Sequence, residues 1–268
     1  MVEPRSAKGI QMMNLIKPSN GKLSTTLTIS AVVLLSIFTH SKAFGETSCH
    51  EVFTQNWAVT ARVEKNSFVT GRNLLAYKQH FQKDFFSQLQ ALRSDQHWVD
   101  LGAGKANAQV DYLKTFTNPR LAAKTTAVAY KIDRWFSPAK FNGKLEIREG
   151  AFESQQTEQW QKADLITDLF GVISYSRDLH TSLQKIFDLM NVNAELYVFG
   201  IHYTTSFTGK NQVLGLFEFL QTIEGLKVEG RLGVIKVVKT KESIKVPNLT
   251  LNRLTDEAPP GRSFSIDD

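Results

Sequence analysis

Two glycines, one residue apart and preceded by a carboxylate, are the residues here best suited to chemistry. The segment reads Trp98-Val99-Asp100-Leu101-Gly102-Ala103-Gly104-Lys105-Ala106 and passes from an apolar stretch into a helical pattern. Glycine lets the backbone bend sharply and lets a ligand approach it with no Cβ in the way. The helix start beyond it offers N–H groups that lack intrahelical partners. A second carboxylate, Asp133, ends the stretch AYKID 29 residues after Gly104. There it can accept both hydroxyls of a ribose, or else cap a helix or pair with Arg134. A third, Asp168, closes ADLITDL, at the kind of strand end where ligands gather in open α/β sheets. Tyr175 and His202 follow the fourth and fifth predicted strands, where each can serve as a general base, as a wall of an acceptor pocket, or in structure alone.

These residues need a scaffold, and the pattern predicts one. Leu74, Tyr77, Phe81, Phe85, Leu89 and Leu92 recur at helical spacing, so a core-facing helix precedes the glycines. Strands are predicted at His97–Leu101, Thr126–Ile132, Lys144–Arg148, Ala163–Leu169 and Ala194–Ile201. Between and after them come helices at Ala106–Phe116, around Leu179–Met190 and at Val213–Ile223. Val228–Lys239 with Ile244–Leu251 reads as a closing antiparallel hairpin. Strand–helix alternation at this spacing implies an α/β domain, doubly wound around a mainly parallel sheet. The domain spans 73–254, after an N-terminal extension over 44–72. Residues 255–268, with Pro259-Pro260-Gly261, read as a surface tail.

The D-x-G-x-G turn and the fourth strand together resemble the class I S-adenosylmethionine-dependent methyltransferases, over about Leu74 to Leu251. The resemblance implies a seven-stranded Rossmann-like sheet and S-adenosylmethionine (SAM) as cofactor. It places Gly102, Ala103 and Gly104 against the methionine portion, with Asp100 orienting that loop or the ammonium group. Asp133 would hold the ribose, and Asp168 would stand at the fourth strand's ligand end. Family members often carry a third glycine where this chain has Ala106, and an acidic residue where it has Ala151. In the absence of the latter, Phe152 lies against the adenine ring, or in the core, and Glu153 takes the amino group. A dinucleotide enzyme would want glycine or alanine at Asn107. Asp168-Leu169-Phe170-Gly171 is not the Asn/Asp-Pro-Pro-aromatic run of amino-group methyltransferases acting on bases. The resulting expectation is a SAM-dependent methyltransferase with a small-molecule or protein acceptor rather than DNA. The alternative is a catalytically degenerate protein of that fold, exported as a binding or interaction module.

Bulk properties agree. The formal charge is +6 over 268 residues, but residues 1–43 carry five basic residues against one acidic. The rest, 27 basic against 25 acidic, gives little basis for polyanion binding. The leader itself reads as a secretory signal peptide: Lys17 and Lys22, then LTISAVVLLSIF, then Ser41-Lys42-Ala43, with cleavage before Phe44. That apolar run is short for a membrane span, so the protein is expected to be exported, or tethered if the leader stays on. Cys49 is the one cysteine, which excludes an intrachain disulfide. No His, Cys or Asp cluster has metal-ligand spacing.

Overall fold

Asn73 opens helix α1 (Leu74–Ala91), its Oδ1 accepting from Ala76 N at 3.0 Å. A short polar side chain at that position satisfies one of the N–H groups a helix start leaves unpaired. The predicted stripe is buried at Tyr77, Phe81, Phe85 and Leu89, and the helix kinks at Gln82. The protein is described from a computed structural model that covers residues 71–268, apart from 133–136, 201–204, 232, 256–260 and 268. The expected leader, Cys49, nearly all of the 44–72 extension, Asp133 and His202 therefore lie outside the described residues.

After α1 come β1 (His97–Asp100), α2 (Asn107–Lys114), β2 (Lys124–Ala129), β3 (Leu145–Glu149) and β4 (Ala163–Leu169). A four-residue helix α3 (Val172–Tyr175), α4 (Leu179–Leu189) and β5 (Met190–Phe199) follow. A hairpin of β8 (Leu226–Arg231) and β9 (Val234–Lys239) completes the main sheet, whose order is β3-β2-β1-β4-β5-β9-β8. Neighbours from β3 to β5 are parallel, and only β9 runs against the rest. This is the seven-stranded, doubly wound, Rossmann-like architecture. The chain builds outward from β1 to β3 and then returns to lay β4 on the other side of β1. In open α/β sheets that reversal leaves a crevice at the carboxyl ends of the two strands, and ligands bind there.

The central strands are buried on both faces, as parallel strands covered by helices must be. Alternate side chains sort to opposite faces. Trp98, Leu165 and Tyr197 join Tyr77, Phe81 and Phe85, while Val99, Ile166 and Leu196 join Leu183, Ile186 and Phe187. On the first face the rings of Tyr77 and Phe85 each lie 6.2 Å from Trp98.

The C-terminal part departs from expectation. Val213–Gly215 is a strand, β7, and helix α5 begins only at Leu216 and ends at Thr222. The hairpin is contained within 226–239. β10 (Asn248–Leu254) leaves it for a second sheet ordered β10-β11-β6-β7, with β6 at Thr205–Thr208. β11 (Arg262–Asp267) sits between β10 and β6, so residues 262–267 are an internal strand rather than a surface tail. Phe207 stacks on Phe219 with ring centres 4.1 Å apart, and Phe264 lies 5.7 Å from Phe207. These rings tie the second sheet to α5 and to the core under the main sheet. No described helix is long and apolar enough to cross a membrane.

Candidate functional site

The loops after β1 and β4 flank the switch point, and Asp100 fixes the first of them. Its carboxylate has no exposed surface. Oδ2 accepts from Tyr77 Oη and Gln109 Nε2, both at 2.6 Å, and Oδ1 accepts from Thr167 Oγ1 at 2.9 Å. Thr167 Oγ1 in turn accepts from Trp98 Nε1 at 2.9 Å. Burial pushes the Asp100 pKa up, and the donors from Tyr77, Gln109 and Thr167 pull against it. Asp100 thus joins α1, α2 and β4 at the root of the turn. A buried network with its acceptors engaged in this way rigidifies what it joins.

The glycines divide their work. A Cβ on Gly102 would meet Gly171 Cα and Leu169 O at 2.9 Å, and one on Gly171 would meet Leu101 O at 2.6 Å. Both are glycine because the two loops pass backbone against backbone, a pairing continued by Leu101 N to Thr167 O at 2.8 Å. Ala103 is buried and donates its N–H to Val128 O at 3.1 Å, which moors the turn to β2. Gly104 has φ +54° and Ala106 φ +58°, so the position where the resemblance leads one to expect a third glycine does take up the left-handed backbone.

Asp168 caps the second loop. Its oxygens accept from Gly171 N and Ile173 N, each at 2.9 Å, and burial raises its pKa to about 6. The far side of α3 is held by Arg262 from the second sheet. Arg262 is 3% exposed and donates to Ser176 O at 2.5 Å, Ile173 O at 2.6 Å and Thr205 Oγ1 at 2.9 Å. Burial pulls its pKa down to about 9, with Asp168 opposing that shift. Tyr175 ends α3 and is therefore carried on a loop fixed from two directions.

Three residues that the sequence reading passed over stand beside these loops. Arg72 spans both, its Nη2 donating to Gly102 O at 2.9 Å and Leu169 O at 2.7 Å. Nothing local in the sequence marks it; it is simply the residue before the helix cap. Arg262, read as part of a tail, is the second. His80, on α1, is the third and lies 4.6 Å from the Phe199 ring at the end of β5 and 6.4 Å from Phe170. Burial and then the Arg72 charge hold its pKa below the ordinary histidine value, so its imidazole is neutral at pH 7.

The β3 side corrects an expectation. Phe152 is buried against Trp160, with ring centres 6.2 Å apart. Glu153 Oε1 accepts from Ser176 Oγ and from Ser182 Oγ, the latter at 3.1 Å. One side chain is core and the other is drawn toward α4, so neither forms the adenine wall that their place after β3 suggests. A cavity of about 310 Å3 lies at the opposite, amino ends of the strands, lined by Gln88, Arg93, Asp164 and Glu195 among others. Its carboxylates already serve the fold: Asp164 accepts from His97 N and Asn191, and Glu195 from Gln88, Tyr197 and Lys236. The candidate site is instead taken at the carboxyl-end loops of β1 and β4, where open α/β sheets bind ligands.

SAM carries a sulfonium, an ammonium and a carboxylate, and the described residues fit it. Two buried carboxylates lie under the loops, and the part-buried guanidinium of Arg72 lies across them.

No protein-family model matches the chain, and no curated protein matches its sequence. Solved structures do. The precorrin-6y C5,15-methyltransferase from Geobacter metallireducens GS-15 is 14% identical over 58% of this chain and 86% of its own, with TM-score 0.38. An rRNA methylase from Streptococcus thermophilus is 13% identical over 64% of this chain and 99% of its own, also with TM-score 0.38. The MycE methyltransferase of the mycinamycin biosynthetic pathway, in complex with Mg and SAH, is 13% identical. It covers 84% of this chain and 59% of its own, with TM-score 0.37. Likeness at that level carries no argument about activity, and the fold assignment rests on the strand order itself.

Proposed function

We propose that the domain is a SAM-dependent methyltransferase whose acceptor is a small molecule or protein rather than DNA. The observation that carries this reading is the Asp100-anchored glycine turn at the β1/β4 switch point of a seven-stranded sheet. When bound, the cofactor supplies an activated methyl group on its sulfonium, so positioning is much of what the chain must provide. Gly102, Ala103 and Gly104 present backbone to the methionine end. Asp133, which follows β2 in sequence, takes the ribose hydroxyls. Asp168 holds the loop that carries Tyr175. An acceptor that is protonated at working pH also needs a base. Tyr175, His202 and the neutral His80 are the groups able to take that proton. On this reading the leader, taken as a signal peptide, directs the protein to export, or tethers it if uncleaved, and the cofactor is met in whatever compartment supplies it.

Calorimetric titration of the purified chain with SAM and with its demethylated product S-adenosylhomocysteine (SAH) tests the reading. Micromolar binding of both is expected, lost in Gly104→Val while the thermal transition is retained. Absence of heat with either ligand overturns it.

A further inference from the structure

We propose that Phe170, Phe199 and His80 receive the acceptor, and that the acceptor is a phenol-like small molecule whose hydroxyl gives its proton to His80. The inference rests on the methyltransferase reading above and names its acceptor class. The three rings are partly buried and come from the ends of β4 and β5 and from α1. Phe170 and Phe199 stand at 80° with centres 5.6 Å apart, and His80 meets Phe170 at 90°. Mutually upright rings offer both faces and edges, the surfaces on which a further aromatic ring packs best. The chain makes two concessions to keep Phe170 there. Its φ is +49°, a left-handed backbone that a bulky side chain rarely adopts, and its ring fills the space of any Cβ on Gly200. Strain of that kind gathers at ligand sites. The next residue, Gly171, packs against Gly102, so the aromatic group adjoins the glycine turn. Chemistry then selects a hydroxyl. Neither ring nitrogen of His80 bonds another described residue or is sealed from solvent, and burial with the Arg72 charge keeps the imidazole neutral at pH 7. A phenol, with a pKa of about 10, is protonated at that pH and needs a base to become a strong nucleophile. In the transfer its oxygen gains the methyl, its proton passes to the imidazole, and the cofactor's sulfur keeps the electron pair of the bond it loses.

The test compares p-cresol with 4-methylcyclohexanol, which matches it in size and hydroxyl placement but has no flat ring. Saturation-transfer NMR on the SAH-loaded chain should show p-cresol binding about fivefold tighter, the usual yield of one aromatic pair. Phe170→Leu keeps an apolar side chain on the same backbone and removes the ring. It should lose about that factor for p-cresol while calorimetry finds the SAH affinity unchanged. With methyl-labelled SAM, label should appear on the p-cresol oxygen. His80→Gln should lower kcat about a hundredfold and move KM for p-cresol by less than about threefold. Equal binding of the two probes, no label on p-cresol, or a His80→Gln variant of full activity would overturn the assignment. So would a Phe170→Leu variant weakened alike toward p-cresol and SAH, which would mean that the rings merely brace the loops. The wild-type ratio decides even where a variant fails to fold. Any of these failures with SAH still bound by the wild-type chain spares the cofactor site, whereas absence of SAH binding sinks both.

Discussion

The turn after β1 and the second sheet meet the same short loop, residues 170–178, from opposite sides. The turn is made of consecutive residues and reaches the loop through Gly102, against Gly171. The second sheet gathers strands from 205–208, 213–215, 248–254 and 262–267 and reaches it through Arg262, on the carbonyls of Ile173 and Ser176. One support is local steric fit and the other a long-range, charge-assisted clamp. The loop that bears Tyr175 is thus positioned twice, by parts of the sequence of very different legibility.

Breaking the steric support should have the largest effect. In Gly171→Ala the new Cβ would stand 2.6 Å from Leu101 O and 2.8 Å from Gly102 Cα, backbone atoms that cannot rotate away. Urea unfolding should show a loss of roughly 4 kcal/mol. A loss under about 1 kcal/mol would mean the two backbones are not in close approach. The clamp comes next. Arg262→Met leaves two buried carbonyls and Thr205 without their donor, at about 3 kcal/mol. Here hydrogen exchange separates the two supports: amides of 172–176 should loosen while those of 101–104 keep their protection. Equal loosening in both stretches would show that the loop has a single support.

That contrast also explains what could be read from the sequence. β4 falls on 163–169 as predicted, and the α1 stripe is buried as spaced, because each is a periodic run whose face is fixed by its own residues. β11 has only Phe264 and Ile266 as apolar residues, and its parallel partner Thr205 stands opposite Arg262, 57 residues away. No local period announces such a pairing, so the segment reads as a tail. Val213-Leu214-Gly215 reads as helix for the same reason: its apolar character is visible, and the strand it pairs with is not. Within the site, Asp100 and the glycines were legible because a turn between a strand and a helix is a local event. Arg72 was not, since its acceptors lie 30 and 97 residues further along. Phe152 marks a different limit, because an aromatic residue after a strand is written alike whether it faces a ligand or the core.

The third test asks how firmly Asp168 holds the near side of the loop. Its folded pKa of about 6 stands above the ordinary 3.8, so folding favours the protonated form. Its share of stability is therefore full below about pH 4, declines as pH rises through 4 to 6, and is flat above that. The shift corresponds to about 3 kcal/mol across the window. Asp168→Asn should flatten that decline in unfolding free energy measured from pH 4 to 7. Asp100, whose pKa is also raised by burial, contributes a slope of the same sign that the variant keeps. An unchanged profile would place the Asp168 carboxyl in a wetter setting than its two backbone donors suggest.

The smallest effect sharpens the local side of the comparison. Ala106 holds φ +58° with no exposed surface, a conformation that costs an L-residue about 1–2 kcal/mol. Ala106→Gly relieves that cost, but it also removes a buried methyl worth about 0.8 kcal/mol and frees the unfolded chain by roughly 0.5–1 kcal/mol. The three nearly cancel, so the variant should lie within about 0.5 kcal/mol of the parent in urea unfolding. Ala108→Gly, two residues on inside α2 and equally buried, loses the methyl and the helix preference with nothing to relieve, and should cost about 1.5 kcal/mol. The difference between the two substitutions isolates the backbone conformation from burial. If both cost the same, Ala106 is not left-handed, and the turn that presents Gly104 to a ligand is shaped differently.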